Sequence, residues 1–131
     1  MIGLALALEL DLEPGAYAIC RWPPGEPVPD WVHQGAFVSV TRTLKEVSAV
    51  CAADAVPGGT VCEGPWRMFA VRGPLDFALT GVMASLALPL AAAAVSMFAI
   101  STYDTDYVMV RARDLERAAE ALKKAGHRVF L

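Results

Sequence analysis

Asp104 and Asp106 sit two residues apart in the run STYDTDY, residues 101–107. Carboxylates at that spacing admit two readings: a general acid and base working as a pair, or a turn in which Asp bonds the backbone two residues on. Acid–base work needs a neighbour that tunes one member of the pair, and no His or Lys lies nearby in sequence. Cys51, the candidate nucleophile, likewise has no base beside it, and the chain contains neither a nucleophile elbow nor a phosphate loop. Cys20, Cys51 and Cys62 form neither an even disulfide set nor a CxxC pair, so they read as small apolar core thiols in a reducing, cytoplasmic setting. His33 and His127 are far apart and lack partners at ligand spacing, which makes both structural. These residues predict no catalytic centre, no metal and no cofactor.

The elements that must carry these residues belong to a chain of 131 residues with formal net charge −3, the length of one ordinary domain or two very small ones. Basic residues are scattered except for a cluster after Val110, which argues against a nucleic-acid partner. The apolar N-terminus has no basic n-region and is interrupted by Glu9 and Asp11, so no signal peptide is expected. The uncharged run from Leu79 is long enough to span a membrane. Its alanines, Pro89 in the middle, its strand-like last third and the lack of close basic flanks favour a buried helix leading into a central strand. No membrane partner is expected.

Leucines at every second position from Leu4 to Leu12 have the period of a strand with one buried face. Pro14-Gly15 then turns the chain into a second extended run, AYAICRW. The proline-rich WPPGEPVPDW predicts a loop with at most one helical turn near Pro29–His33. Thr43 and Glu46 match a capping box. The β-branched VSAVC that follows, and the likeness of FVSVTRTLKEVSAV to FAISTYDTDYVMV, instead predict two hairpins of one make, about sixty residues apart. In that comparison Glu46 matches Asp106, and the first turn is one residue shorter. The second copy reads as strand WRMFAVRG, helix LTGVMASLALPLAAAA, the hairpin, a helix LERAAEALKKAG capped by Asp114 and ended by Gly126, and strand HRVFL. The order is βαββαβ.

That order, with GPLDFALTGVMASL at the first strand-to-helix turn and FAISTYDTDYVMV at the hairpin, resembles the ACT domain, a small regulatory module that binds amino acids. The closer likeness is to bacterial two-ACT proteins and the ACT repeats of cytosolic arginine sensors. Residues 66–129 carry it most strongly. The resemblance implies an α+β, ferredoxin-like tandem: a degenerate repeat at 1–63 whose first helix is reduced to the proline-rich stretch, and an ACT domain at 64–131. Each repeat would have an antiparallel sheet with helices on one face. Ala94 stands at the helix exit where relatives often carry glycine.

The likeness also assigns a site. Helix N-terminal amides at Thr80, Gly81 and Val82 would hold a ligand carboxylate. Asp106 would take the ammonium with Thr102 and Tyr103 beside it, and Ser85 and Leu86 would face the ligand's other side. Leu79 replaces an acid of the arginine sensors, so a strongly basic ligand is disfavoured. The single well-formed helix implies a homodimer in which a second copy completes the wall. The expectation is a non-enzymatic sensor of an amino acid or related molecule that signals to a regulated protein partner. The alternative is a structural interaction module with the same fold and no ligand.

Overall fold

A computed structural model describes residues 6–131; Leu4, the first of the alternating leucines, lies outside them. The strands are β1 (Glu9–Leu12), β2 (Tyr17–Trp22), β3 (Ser39–Arg42), β4 (Val47–Ala52), β5 (Cys62–Val71), β6 (Met97–Ser101), β7 (Asp106–Arg111) and β8 (Arg128–Phe130). The helices are α1 (Val82–Ala92) and α2 (Leu115–Lys124). Among the described residues no helix is long and apolar enough to cross a membrane. The uncharged run divides into α1 and β6, as its composition implied.

The chain forms two units, the larger from residues 6–14 and 67–131, the smaller from residues 15–66. In the larger unit the strand order is β8-β1-β5-β7-β6. Apart from β1 this is the ferredoxin-like arrangement of a βαββαβ chain. β1 stands between the first and last strands of that motif, antiparallel to β5 (Leu10 opposite Val71) and parallel to β8 (Leu10 opposite Val129). The parallel pair departs from the antiparallel sheet the sequence implied. It is possible because β1 arrives from outside the βαββαβ sequence, with no hairpin to fix its direction.

Both helices cover one face of this sheet. Val82, Leu86 and Leu90 of α1 and Ala118, Ala119 and Leu122 of α2 share a core with Leu8, Leu10, Phe69, Val71, Val108 and Val110. Each fully buried Leu or Phe there contributes roughly 1.5–3 kcal/mol relative to exposure. The two helices end alike. Val95 N–H donates to Leu90 O at 2.9 Å and Ala94 N–H to Ala91 O at 3.0 Å; His127 N–H donates to Leu122 O at 3.1 Å and Gly126 N–H to Lys123 O at 3.0 Å. This 6→1 and 5→2 pattern places one residue in the left-handed region. That residue is Gly126 (φ 102°) in α2 and Ala94 (φ 58°) in α1. Asp114 precedes α2 but makes no capping hydrogen bond from its side chain; its carboxylate pairs with Arg117 at 3.1 Å. Ala112–Asp114 is already a 3-10 turn, so the chain enters α2 from a helical conformation without the extended residue that a side-chain cap requires.

The smaller unit has the order β3-β4-β2-β5, the same sequence of pairings with 3-10 turns in place of helices, at Asp30–His33 and Ala53–Ala55. The first repeat is thus degenerate, and prolines explain the first substitution, since they remove the donors a helix would need. Its core is Ala18, Cys20, Val32, Ala49 and Cys51, with Trp22 and Trp31 packed at 5.9 Å. Cys20 and Cys51 are the buried thiols the sequence implied, but Cys62 is exposed. It lies in the first four residues of β5, all of which are exposed.

The two hairpins close with one hydrogen-bond pattern. Thr43 N–H donates to Glu46 O at 2.9 Å and Thr102 N–H to Thr105 O at 2.8 Å. Each threonine Oγ1 also accepts from the backbone N–H three residues on, at 3.1 Å from Glu46 and 3.3 Å from Thr105. The flanking pairs Arg42–Val47 and Ser101–Asp106 match. The turns are therefore equal in length, and the counterpart of Asp106 is Val47, with Glu46 matching Thr105. The repeated Thr, which anchors the turn, sets the alignment; the acids do not.

Candidate functional site

In the larger unit the β5–α1 loop meets the β6–β7 turn around a cavity of about 330 Å³. The loop is pinned to the turn by backbone. Leu75 N–H donates to Asp104 O at 2.7 Å, and the Thr105 hydroxyl donates to Val71 O at 2.6 Å. Gly73 makes the approach possible, because a Cβ there would sit 3.1 Å from Asp104 O and 3.2 Å from Thr105 Cβ. Within the loop, Asp76 accepts Ala78 N–H on Oδ1 at 2.8 Å and Leu79 N–H on its carbonyl at 2.9 Å. This double turn delivers the chain to Gly81, the residue before α1, at φ 82°. The left-handed conformation suits glycine, which has no Cβ to clash.

Gly81 offers no side chain to cap the helix. The first-turn amides of α1, which have no intrahelical acceptor, therefore receive no side-chain cap from it, and they carry the positive end of the helix dipole. Across the cavity Asp106 receives the Ser101 hydroxyl on Oδ1 at 2.5 Å. One carboxylate oxygen is thereby fixed and the other is left for a further donor. Asp76 and Asp104 also line the cavity, and among the described residues no Lys, Arg or His does. At its mouth the exposed rings of Phe77 and Tyr103 meet edge to face, with centroids 4.9 Å apart at 82°. Leu75, Leu79, Val82 and Met83 make the apolar part of the wall. A carboxylate is favoured at one side, an ammonium at the other, and apolar surface lies between. The volume is at the low end for small-molecule pockets.

Of the residues assigned from sequence, Gly81, Val82, Thr102, Tyr103 and Asp106 are brought together here. Thr80 is exposed in the loop next to Gly81 and does not line the cavity. Ser85 and Leu86 are buried: the Ser85 hydroxyl donates to Val82 O at 2.7 Å, and Leu86 belongs to the core. Leu75, Asp76, Phe77, Met83, Ser101 and Thr105 join the lining without having been singled out as site residues, and Asp104, weighed only as half of an acid–base pair, lines it too. Asp76 had a local signal, an Asp shortly after Gly73-Pro74 that bonds the chain two residues on. Leu75 and Phe77 had none, because their place depends on the backbone pairing with Asp104. Among the described residues no group of three His, Cys, Asp or Glu could hold a metal ion. Burial pushes the Cys51 thiol up, away from the reactive thiolate.

A βαββαβ sheet with both helices on one face defines the class of small ferredoxin-like α+β domains. The ACT domain family model matches residues 61–124, and a model of a separate N-terminal domain matches residues 15–59. Residues 61–124 therefore form a domain of the ACT family. A crystal structure of an Agrobacterium tumefaciens protein is 38% identical, with TM-score 0.92 over 97% of this chain and 95% of that one. A Vibrio cholerae protein described as of unknown function and a possible transport protein is 19% identical, with TM-score 0.75 over 92% of this chain and 91% of that one. The ligand-free regulatory subunit of aspartate kinase from Thermus thermophilus is 16% identical, with TM-score 0.63 over 88% of this chain and 96% of that one. Among curated proteins none matches the chain.

Proposed function

We propose that this protein is a non-enzymatic sensor whose cavity between the β5–α1 loop and the β6–β7 turn binds a free amino acid or a similar zwitterion. The observation that carries this reading is the pairing of the uncapped start of α1, at Gly81 and Val82, with the carboxylate of Asp106, held on one oxygen by Ser101, on one small cavity. The amides take the carboxylate and Asp106 takes the ammonium, with Thr102 and Tyr103 flanking it. An acid–base enzyme has less support, since no His or Lys faces Asp104 or Asp106 in the lining. In this reading the chain works as a cytoplasmic homodimer, and occupancy of the cavity is passed to a regulated protein partner.

Thermal unfolding against the twenty amino acids tests the reading. At about 100 times its dissociation constant a ligand adds about 2.7 kcal/mol, a shift of several degrees for a domain of this size. One amino acid should shift the melting temperature of the native chain and not that of Asp106→Ala. If none does, the chain is a structural interaction module. Light scattering that finds only monomer at micromolar concentration would remove the dimer from the account.

A further inference from the structure

Packing accounts for Cys20 and Cys51, which are fully buried, but not for Cys62, which is exposed. Cys62 on β5 is the register partner of Cys20 on β2. The next pair along is hydrogen bonded, Arg21 N–H donating to Val61 O at 3.0 Å. Cys20 and Cys62 therefore occupy a non-hydrogen-bonded position of an antiparallel ladder. Cα atoms at such a position lie about 4.5 Å apart with side chains on one face. That separation falls in the range of roughly 4.4–6.8 Å that a disulfide spans. Cys51 lies beyond, on β4, with its sulfur 3.9 Å from that of Cys20. β2 separates it from Cys62, so the two strands are about 9–10 Å apart.

We propose that Cys62 and Cys20 form an oxidant-reactive pair, in which a small hydroperoxide oxidises the exposed Cys62 and the buried Cys20 resolves it as a cross-strand disulfide. The Cys62 sulfur attacks the peroxide oxygen, breaking the O–O bond and releasing an alcohol or water, and becomes a sulfenic acid. Cys20 then attacks that sulfur, forming the S–S bond while the hydroxyl leaves as water with the Cys20 proton. Two thiols lose two electrons and one peroxide gains them. The order follows from access. Burial, with the neighbouring Cys51 and Cys62 sulfurs, pushes the Cys20 thiol up to about 12, so it is a poor first attacker and acts through its fixed position. The bond would close the chain from residue 20 to residue 62, around the β3–β4 hairpin.

The test treats the reduced full chain with hydrogen peroxide and reads intact mass and non-reducing peptide maps. The expected product has lost two hydrogens, carries a Cys20–Cys62 link and is restored by a thiol reductant. Cys51→Ser should give the same link and Cys62→Ser should give none. Should Cys62→Ser fold poorly, alkylating Cys62 on the folded native chain before oxidation must block the product equally. A Cys20–Cys51 link, a Cys62–Cys62 dimer, Cys62 carried on to sulfinic acid with Cys20 free, or three unreacted thiols would each overturn the proposal.

Discussion

The His127 Nε2 donates to the Ser85 carbonyl at 2.9 Å, and the reason this carbonyl is free lies four residues on. Pro89 has no N–H, so the helical acceptor at Ser85 is orphaned inside α1. The other ring nitrogen, Nδ1, accepts Leu8 N–H at 3.1 Å, which fixes the ring as the neutral Nε2–H tautomer. One buried imidazole thus satisfies a helix defect and the backbone leading into β1. This is a structural role of the kind the isolated His implied, and it explains how a proline is tolerated mid-helix.

The two residues should therefore be coupled. His127→Ala leaves a buried amide and a buried carbonyl unpaired and should cost about 2–4 kcal/mol. In a Pro89→Ala background the restored N–H satisfies Ser85, and the same change should cost about 1 kcal/mol less. A double-mutant cycle by urea unfolding measures the difference; strict additivity would refute the link.

Ala94 adopts the left-handed conformation that Gly126 adopts at the end of α2. A non-glycine residue is disfavoured there by about 1–2 kcal/mol. Ala94→Gly should stabilise the chain by about 1 kcal/mol, raising the melting temperature by a few degrees. Gly126→Ala should lower it, and calorimetry on both variants gives the signs.

Gly73 lies against backbone that cannot easily yield, at Asp104 O and Leu75 N. Gly73→Ala should push the hairpin turn off the β5–α1 loop and cost about 1–3 kcal/mol. In the proposed sensor reading, its ligand-induced melting shift should fall with it. Ala78→Gly, in the same loop, serves as the control for added loop flexibility.

Arg72 forks onto Asp11 with Nε–Oδ2 at 2.7 Å and Nη2–Oδ1 at 2.8 Å, and its guanidinium lies 4.0 Å from the Phe130 ring centroid. The hydrogen bond from Arg72 is the chief cause holding the Asp11 carboxyl below its ordinary value. A depressed folded pKa contributes stability that is present above the unfolded value near 3.9 and is lost as pH falls through the folded one. Asp11→Asn should lower stability at pH 7 modestly, since the pair is exposed, and should flatten the acid limb. Unfolding midpoints at pH 7 and below pH 4 compare the two chains, and parallel acid limbs would contradict the assignment.

Local chemistry made much of this protein legible in the sequence. Period-two leucines gave β1, prolines ruled out a helix before β3, β-branched residues outweighed the capping box at Thr43, and Lys123, Lys124 and Gly126 ended α2. Each rests on neighbours within one turn or strand, where a residue's own conformational preference decides. The ACT fold, the two hairpins and the pairing of Gly81 with Asp106 around one cavity followed from such signals combined with resemblance.

What the tertiary structure alone decided involves partners far apart in the chain. It placed β1 between β5 and β8, turned Ser85 and Leu86 into the core, exposed Cys62 opposite Cys20, and drew Leu75 onto Asp104. It also paired His127 with the carbonyl that Pro89 freed. A strand's pattern shows which face it buries but not which edge it joins, and helix spacing shows a stripe but not what covers it. Those choices are made by the sum of burial and backbone pairing over the whole sheet, which no single window of sequence contains.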